Sequence, residues 1–337
     1  MDDAFFPATP EGRGAIAVVV VLSPRWREVV ARFFSPKSGR LLDSYADGAL
    51  VYGMIGLEDV LVCPINDAQG EIQCHGSVAA VRRIEDFLEH SGFRRLSRAE
   101  FLQRTMPKLS PNQARAYELL PEAATLPIAE ILWDQAQGAY ERALDRGDDV
   151  RRWDAFAQKL VEPWRVLLCG APNVGKSSLF NAILGYSRAI VFEEAGTTRD
   201  VLRERTVLNG LLFEFIDVAG LRSAASPVEK QGVLLAEEEI RRADLVLRIR
   251  SAAGDCDESA CDSSDFWDDP LWASCPSLCV WNKCDVCAPP PGAEGIFVSA
   301  KSGAGLAQLL EAVERALVPE LPPPGTGMRL VVSYREN

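Results

Sequence analysis

The apolar positions fall into two regimes along the chain. Through the first hundred residues they form short runs of strand character, Ala15–Leu22, Leu50–Met54 and Val60–Cys63, bounded by polar residues and glycines. One segment has helical period instead: between Ser77 and His90, Val78, Val81, Ile84, Phe87 and Leu88 recur on one face. Together they predict a small α+β domain over residues 1–108. From 109 to 163 the strand signals vanish. Ala114, Leu119, Ile128, Ile131, Leu132, Ala136 and Leu144, interrupted by Pro121 and Pro127, predict two or three short helices, a reduced helical domain that acts as a connector. From 164 to 320 apolar strand-like runs alternate with helical segments, the signature of an α/β domain. The Pro-rich stretch Pro322–Gly325 and the run Met328–Val332 predict a linker and an extended tail over 321–337.

Composition narrows the classes. With 47% hydrophobic and 25% charged residues in 337, the chain is neither disordered nor fibrous. Its longest apolar run, Ala15–Leu22, is far short of the roughly 20 residues a membrane helix needs, and it follows acidic rather than basic residues, so neither a span nor a secretory signal is expected and the cytoplasm is the expected location. Nine cysteines, an odd number at irregular spacing, fit reduced thiols. Only Cys284 and Cys287 have the C-x-x-C spacing, so no zinc ribbon is expected. The net charge of −12 argues against RNA binding by bulk electrostatics, so any nucleic-acid contact is expected to be a local patch or to come through a partner. The acidic run Asp255–Asp269 lacks a calcium-loop pattern and reads as a solvated insertion.

The chemistry sits in the α/β region. The apolar run Val166–Cys169 leads into Gly170-Ala-Pro-Asn-Val-Gly-Lys-Ser177, with an apolar helix from Leu179 to Leu184 behind it, which is a phosphate-binding loop in its required setting. Gly170, Asn173, Val174, Gly175, Lys176, Ser177 and Ser178 would supply backbone N–H groups, an ammonium for the β/γ-phosphates and a hydroxyl for Mg²⁺. Asp217-Val-Ala-Gly220 follows a second apolar run, placing a carboxylate near the magnesium and the Gly220 N–H near the γ-phosphate. Asn282-Lys283-Cys284-Asp285 follows a third. A carboxylate at Asp285 accepts two N–H groups from guanine that adenine does not offer, which disfavours an ATPase. Ser299-Ala300-Lys301 adds a backbone N–H for the guanine oxygen. These motifs, in order and each at a strand end, predict a GTP-binding domain.

Gly196-Thr-Thr-Arg-Asp200, the hairpin-like Val201–Ile216 around Asn209-Gly210, and Asp217–Arg222 resemble the TrmE (MnmE) GTPases of tRNA wobble-uridine modification. Upstream, Pro7–Gly14 is similar to the family's A-T-P-x-G-R-G, Glu71–Gly76 to its E-x-x-x-H-G and Arg98–Phe101 to its R-x-x-E-F, so the resemblance runs to about residue 318. It implies a Ras-like P-loop GTPase domain behind a TrmE-type N-terminal domain, and a homodimer formed across the GTPase domains. Leu221 stands where Ras-like enzymes carry the water-orienting glutamine. By the resemblance, Glu229 orients the attacking water, against the alternative of a solvated residue beside Glu237–Glu239. Asn173 and the carbonyls of Phe192–Ala195 hold K⁺, and Thr198, with Thr197 the alternative, binds Mg²⁺. Arg199 reads as a salt-bridge residue. Glu71 and Lys108 match 5-formyl-tetrahydrofolate contacts, while the arginine that the family carries in the strand after G-R-G is replaced within Val18–Val21. The family's second helical half and closing C-x-G-K find no match. Two functions are therefore expected: GTP hydrolysis in wobble-uridine modification with a GidA/MnmG flavoprotein, or a TrmE-derived regulatory GTPase without tRNA-modifying activity.

Overall fold

The computed structural model describes residues 2–10, 12, 14–171, 173–187, 202–217, 239–253 and 275–330. Two compact units divide the chain, residues 1–114 and 115–337.

The first unit is a seven-stranded sheet in the order β3-β4-β5-β6-β2-β1-β7. Its strands are β1 (Ala4–Pro7), β2 (Ile16–Leu22), β3 (Phe34–Pro36), β4 (Val51–Ile55), β5 (Glu58–Asn66), β6 (Gln69–His75) and β7 (Arg94–Arg95); its helices are α1 (Trp26–Ala31), α2 (Val78–His90) and α3 (Arg98–Thr105). Period-2 alternation sorts the two faces. Ala17, Val19 and Val21 of β2 and Ile72 and Cys74 of β6 bury against Trp26, Val29, Ile84 and Leu88 from α1 and α2. Two of the sequence motifs meet here: the Gly14 N–H donates to the Gly76 carbonyl at 2.8 Å, and the Gly76 N–H to Ala15 at 3.1 Å. A Cβ on Gly76 would run into the Gly14 backbone, which explains glycine at that position.

Helix α2 starts where expected, capped by Ser77, whose hydroxyl accepts from the Ala80 N–H at 3.1 Å. Its inward face corrects the sequence reading. Ala80, Ile84, Glu85 and Leu88 are buried, whereas Val78 and Phe87 are exposed. An apolar stripe this broad does not fix the helix rotation to within one position. Glu100, in the stretch similar to R-x-x-E-F, closes a capping box on α3: it accepts from the Ser97 N–H at 2.8 Å, and Arg94 donates to it at 2.8 Å. The Ser97 backbone bond, then Arg94, lowers its carboxyl to about 2.

In the second unit, α4 (Pro111–Leu119, in which the boundary falls), α5 (Leu126–Ala136), α6 (Ala139–Arg146) and α7 (Asp154–Gln158) precede a six-stranded sheet. Four α-helices thus stand where two or three were expected. The sheet contains β8 (Trp164–Gly170), β9 (Leu202–Leu208), β10 (Leu211–Asp217), β11 (Leu245–Ser251), β12 (Ser277–Asn282) and β13 (Ile296–Phe297), with α8 (Lys176–Ser187) and α9 (Leu306–Leu317) beside it. Its order is β13-β12-β11-β8-β10-β9. All neighbours are parallel except the β9–β10 hairpin. The hairpin turns at Asn209 (φ 46°) and Gly210 (φ 84°), the positive pair that an Asn-Gly turn of type I′ requires. In the stretch 321–330, expected as linker and tail, the part from Thr326 to Leu330 is instead anchored in the core. The buried amide of Gln135 donates to the Thr326 carbonyl at 2.8 Å and accepts from the Met328 N–H at 2.9 Å, and Met328 and Leu330 are buried. An amide at a core position on α5 needs backbone partners, and this segment supplies them.

An ion network ties the sheet together. Glu239, 3% exposed, accepts from Arg165 of β8 at 2.5 Å and from Arg203 of β9 at 2.6 Å. Asp244 accepts from the Arg165 N–H at 2.7 Å and from the Lys159 ammonium at 2.6 Å. Removing the shared carboxylate leaves two guanidiniums without it, Arg165 partly buried and Arg203 nearly half exposed. Glu239→Ala should therefore destabilise the fold by about 3 kcal/mol, and Glu239→Gln by less, read from urea unfolding.

Candidate nucleotide site

Strand β8 ends at Gly170, and the chain turns into α8 at Lys176. Lys176, Ser177 and Ser178 form the first turn of that helix, where a helix presents its N–H groups to an anion rather than to its own carbonyls. The turn requires positive φ at Asn173 (65°) and Gly175 (91°). A Cβ on Gly175 would also lie 2.5 Å from the Asn282 amide nitrogen, so glycine is demanded twice. Lys176 is buried, and its ammonium donates to the carbonyls of Gly170 (3.0 Å) and Ala171 (2.8 Å), which hold it across the mouth of the loop.

At the end of the neighbouring strand, the buried Asp217 accepts from the Ser177 hydroxyl at 2.6 Å. A hydroxyl and a carboxylate beside a phosphate loop make an oxygen donor set suited to a hard divalent cation. On the other side Asn282, buried at the end of β12, donates to the carbonyls of Val174 (3.0 Å) and Gly175 (3.4 Å), while its own carbonyl accepts from the Ala300 N–H at 3.0 Å. Lys283 follows at φ 64°, turning the chain so that Asp285 comes to the surface. There the buried Ser299 hydroxyl donates to Asp285 Oδ1 at 2.7 Å. That hydrogen bond chiefly, with the Lys301 charge adding to it, holds the Asp285 carboxyl below the usual carboxylate range against a smaller effect of burial. Ser299 in turn is fixed by the Ser302 N–H at 3.1 Å.

Three separate sequence motifs are thus one bonded unit. The amide of Asn282 joining the phosphate loop to Ala300 is a role that sequence reasoning missed, because a four-residue motif carries no sign of which carbonyl its asparagine reaches. Gly170 closes β8, Val174 lies in the phosphate loop, Ser178 in the first turn of α8 and Lys301 in the loop after β13, where it is exposed. Thr197, Thr198, Gly220, Leu221, Glu229, the stretch 192–195 and the acidic run 255–269 lie outside the described residues. In the first unit, Glu71 pairs with Val20 across β6 and β2, and Lys108 is exposed after α3.

Among the described residues no cluster of three or more histidines, cysteines and acidic residues forms a metal site. Burial raises the thiols of Cys63, Cys275 and Cys284 and lifts Cys74 to about 11, so none of these is a ready thiolate. No helix among the described residues is long and apolar enough to cross a membrane.

Residues 165–283 match the 50S ribosome-binding GTPase family. Along most of its length the chain is similar to proteins described as tRNA modification GTPase MnmE. That of Chlamydia trachomatis serovar L2 is 29% identical over 363 residues, covering 92% of this chain and 80% of the relative. That of Synechococcus sp. (strain RCC307) is 28% identical over 391 residues, covering 99% and 84%. That of Lawsonia intracellularis is 29% identical over 369 residues, covering 90% and 79%. Among solved structures, a single-residue variant of Aquifex aeolicus Era bound to GDP·AlF₄⁻ aligns at 24% identity over 47% of this chain and 58% of that one, with a TM-score of 0.36.

The lowered carboxyl of Asp285 sets a pH dependence. A depressed acid keeps its contribution above its ordinary pKa and loses it as pH falls through the lowered value. Guanine-nucleotide affinity should stay flat from neutrality down to about pH 4 as far as this group is concerned. Ser299→Ala, which removes the main cause of the shift, should move the acid limb upward in titrations with a fluorescent GDP analogue.

Proposed function

For a chain that is a GTP-binding and GTP-hydrolysing protein of the MnmE type, we propose a place in tRNA wobble-uridine modification, as a homodimer working with an MnmG-like flavoprotein. The observation that supports the nucleotide part is the bonded unit of Asn282, Val174, Ala300, Ser299 and Asp285, which ties the loop carrying Asp285 to the phosphate loop. The tRNA context comes from the relatives, whose similarity extends through both units of the chain.

The chain's own residues divide the work. Backbone N–H groups of 175–178 and the Lys176 ammonium hold the phosphates. Asp285 selects guanine by leaving a carboxylate unpaired when another base enters. Ser177 and Asp217, already joined, hold the magnesium, with Thr198, or Thr197 in its place, completing the set. Asn173 and the carbonyls of 192–195 hold K⁺. When bound, the two cations neutralise charge on the phosphates. Leu221 has no group to orient water, so that role falls to Glu229. In the first unit, Glu71 and Lys108 are the positions proposed to meet 5-formyl-tetrahydrofolate.

Turnover should then be faster in KCl than in NaCl at equal ionic strength; equal initial rates would remove Asn173 from ion binding. Glu229→Ala should lower kcat by about 10²-fold or more with nucleotide affinity little changed, because the carboxylate acts on water rather than on bound GTP. A mutant that turns over normally would return Glu229 to a solvated helix face. Expression in a strain lacking its own MnmE, with tRNA nucleosides analysed by mass spectrometry, tests the tRNA assignment. Restored modified uridine is the expected outcome, and a strain that stays unmodified while the chain hydrolyses GTP favours the regulatory reading.

A further inference from the structure

The C-x-x-C pair Cys284 and Cys287 lies inside the loop that carries Asp285, with Asp285 and Val286 between the two thiols. The Lys283 carbonyl accepts from the Val286 N–H at 3.0 Å and from the Cys287 N–H at 3.4 Å, so residues 283–287 close one tight turn. Positions three apart on a helical turn are surface neighbours, which brings the two cysteines to one side of it. Among the described cysteines Cys287 alone is exposed, whereas Cys63, Cys74 and Cys169 are buried.

The two thiols are held unequally. The Cys284 N–H donates to the Val298 carbonyl at 3.1 Å, and its thiol donates to the Trp281 carbonyl at 3.2 Å. The Val298 N–H also donates to that Trp281 carbonyl, at 2.8 Å, so freeing the thiol leaves no acceptor unpaired. Cys287 is tied through its N–H by the long 3.4 Å bond and is the end that gives. Side chains three apart stand about 5–6 Å apart at Cβ, and a disulfide needs about 3.5–4.5 Å. A bridge is therefore within reach, and it closes by drawing Cys287 inward through the Asp285–Val286 peptide. The Ser299 hydroxyl holds the Asp285 carboxylate at 2.7 Å. A displacement of about 1 Å there ends that hydrogen bond.

We propose that Cys284 and Cys287 are a thiol–disulfide switch on guanine-nucleotide binding, closed by a low-molecular-weight disulfide of the glutathione class. The switch rests on Asp285 reading guanine. The exposed Cys287 thiolate attacks one sulfur of the oxidant, whose S–S bond breaks and releases one glutathione thiol. The Cys284 thiolate then attacks the mixed disulfide at the Cys287 sulfur and releases the second. Two protein thiols lose two electrons to the oxidant, and their two protons leave on the two glutathione thiols. Burial disfavours the Cys284 thiolate, but its step is intramolecular and gains from proximity. The closed bridge lies at the surface and distorts its own loop, the character of a labile, readily reduced disulfide.

Titration of the full chain with a fluorescent GDP analogue, before and after glutathione disulfide and again after dithiothreitol, tests this, with the bridge located by mass spectrometry of an unreduced digest. Oxidation should join Cys284 to Cys287 and weaken the analogue by about tenfold or more, and dithiothreitol should restore it. Cys287→Ser should bind like the reduced wild type before and after oxidation. Failure of the two cysteines to join, a bridge that leaves affinity unchanged, or an equal loss on oxidation in Cys287→Ser each overturns the switch. Reduced Asp285→Ala separates the switch from the reading it rests on. Weakened binding in that variant beside an oxidised wild type of full affinity removes the switch alone. Wild-type binding in it removes Asp285 from base reading, and the switch with it.

Discussion

The nucleotide site depends on one buried amide. Asn282 donates to the Val174 and Gly175 carbonyls of the phosphate loop and accepts from the Ala300 N–H, so one side chain at the end of β12 fixes two loops at once. Its burial makes these bonds costly to break, since each group would be left unpaired in a water-poor setting. It also explains Gly175, whose missing side chain leaves room for the asparagine amide. With the loop fixed, Lys176 is held across its mouth and α8 opens directly behind it.

Electrostatics extend the same order away from the site. Asp217 sits at the end of β10 and meets Ser177, so two parallel strands deliver one oxygen pair. Further along, Glu239 joins β8 to β9, and Asp244 joins β8 to Lys159. The strand that feeds the phosphate loop is thus clamped by carboxylates at its start and by Asn282 near its end. A rigid frame of this kind holds donors in place before a phosphate arrives, which is what charge stabilisation in phosphoryl chemistry requires.

The first unit follows a different logic. Backbone contact at Gly14 and Gly76 and the capping box at Ser97 and Glu100 account for motif residues that the sequence alone offers as candidate chemistry. Glu85 moves the other way. Nothing in its spacing distinguishes it from an exposed helix carboxylate, yet the packing encloses it.

The sequence by itself determined the elements whose signals are local. Strand-loop-helix order around Gly170–Ser177, the Asn209-Gly210 turn with its two positive φ values, and the Ser77 cap all follow from short-range sterics and hydrogen bonding, and they stand where the pattern put them. Tertiary structure decided what depends on partners distant in the chain. The rotation of α2 is set by the sheet beneath it, so Val78 and Phe87 face out although their spacing says otherwise. Residues 321–330 look like a linker because prolines dominate them, but Gln135, nearly two hundred residues earlier, needs backbone partners and binds Thr326 and Met328. The bridges from Asn282 to Val174 and from Ser177 to Asp217 span over a hundred residues and forty residues, and no local rule encodes them. Hydrophobic period and turn chemistry are written residue by residue, whereas the pairing of a buried polar group is settled only when the chain has closed around it.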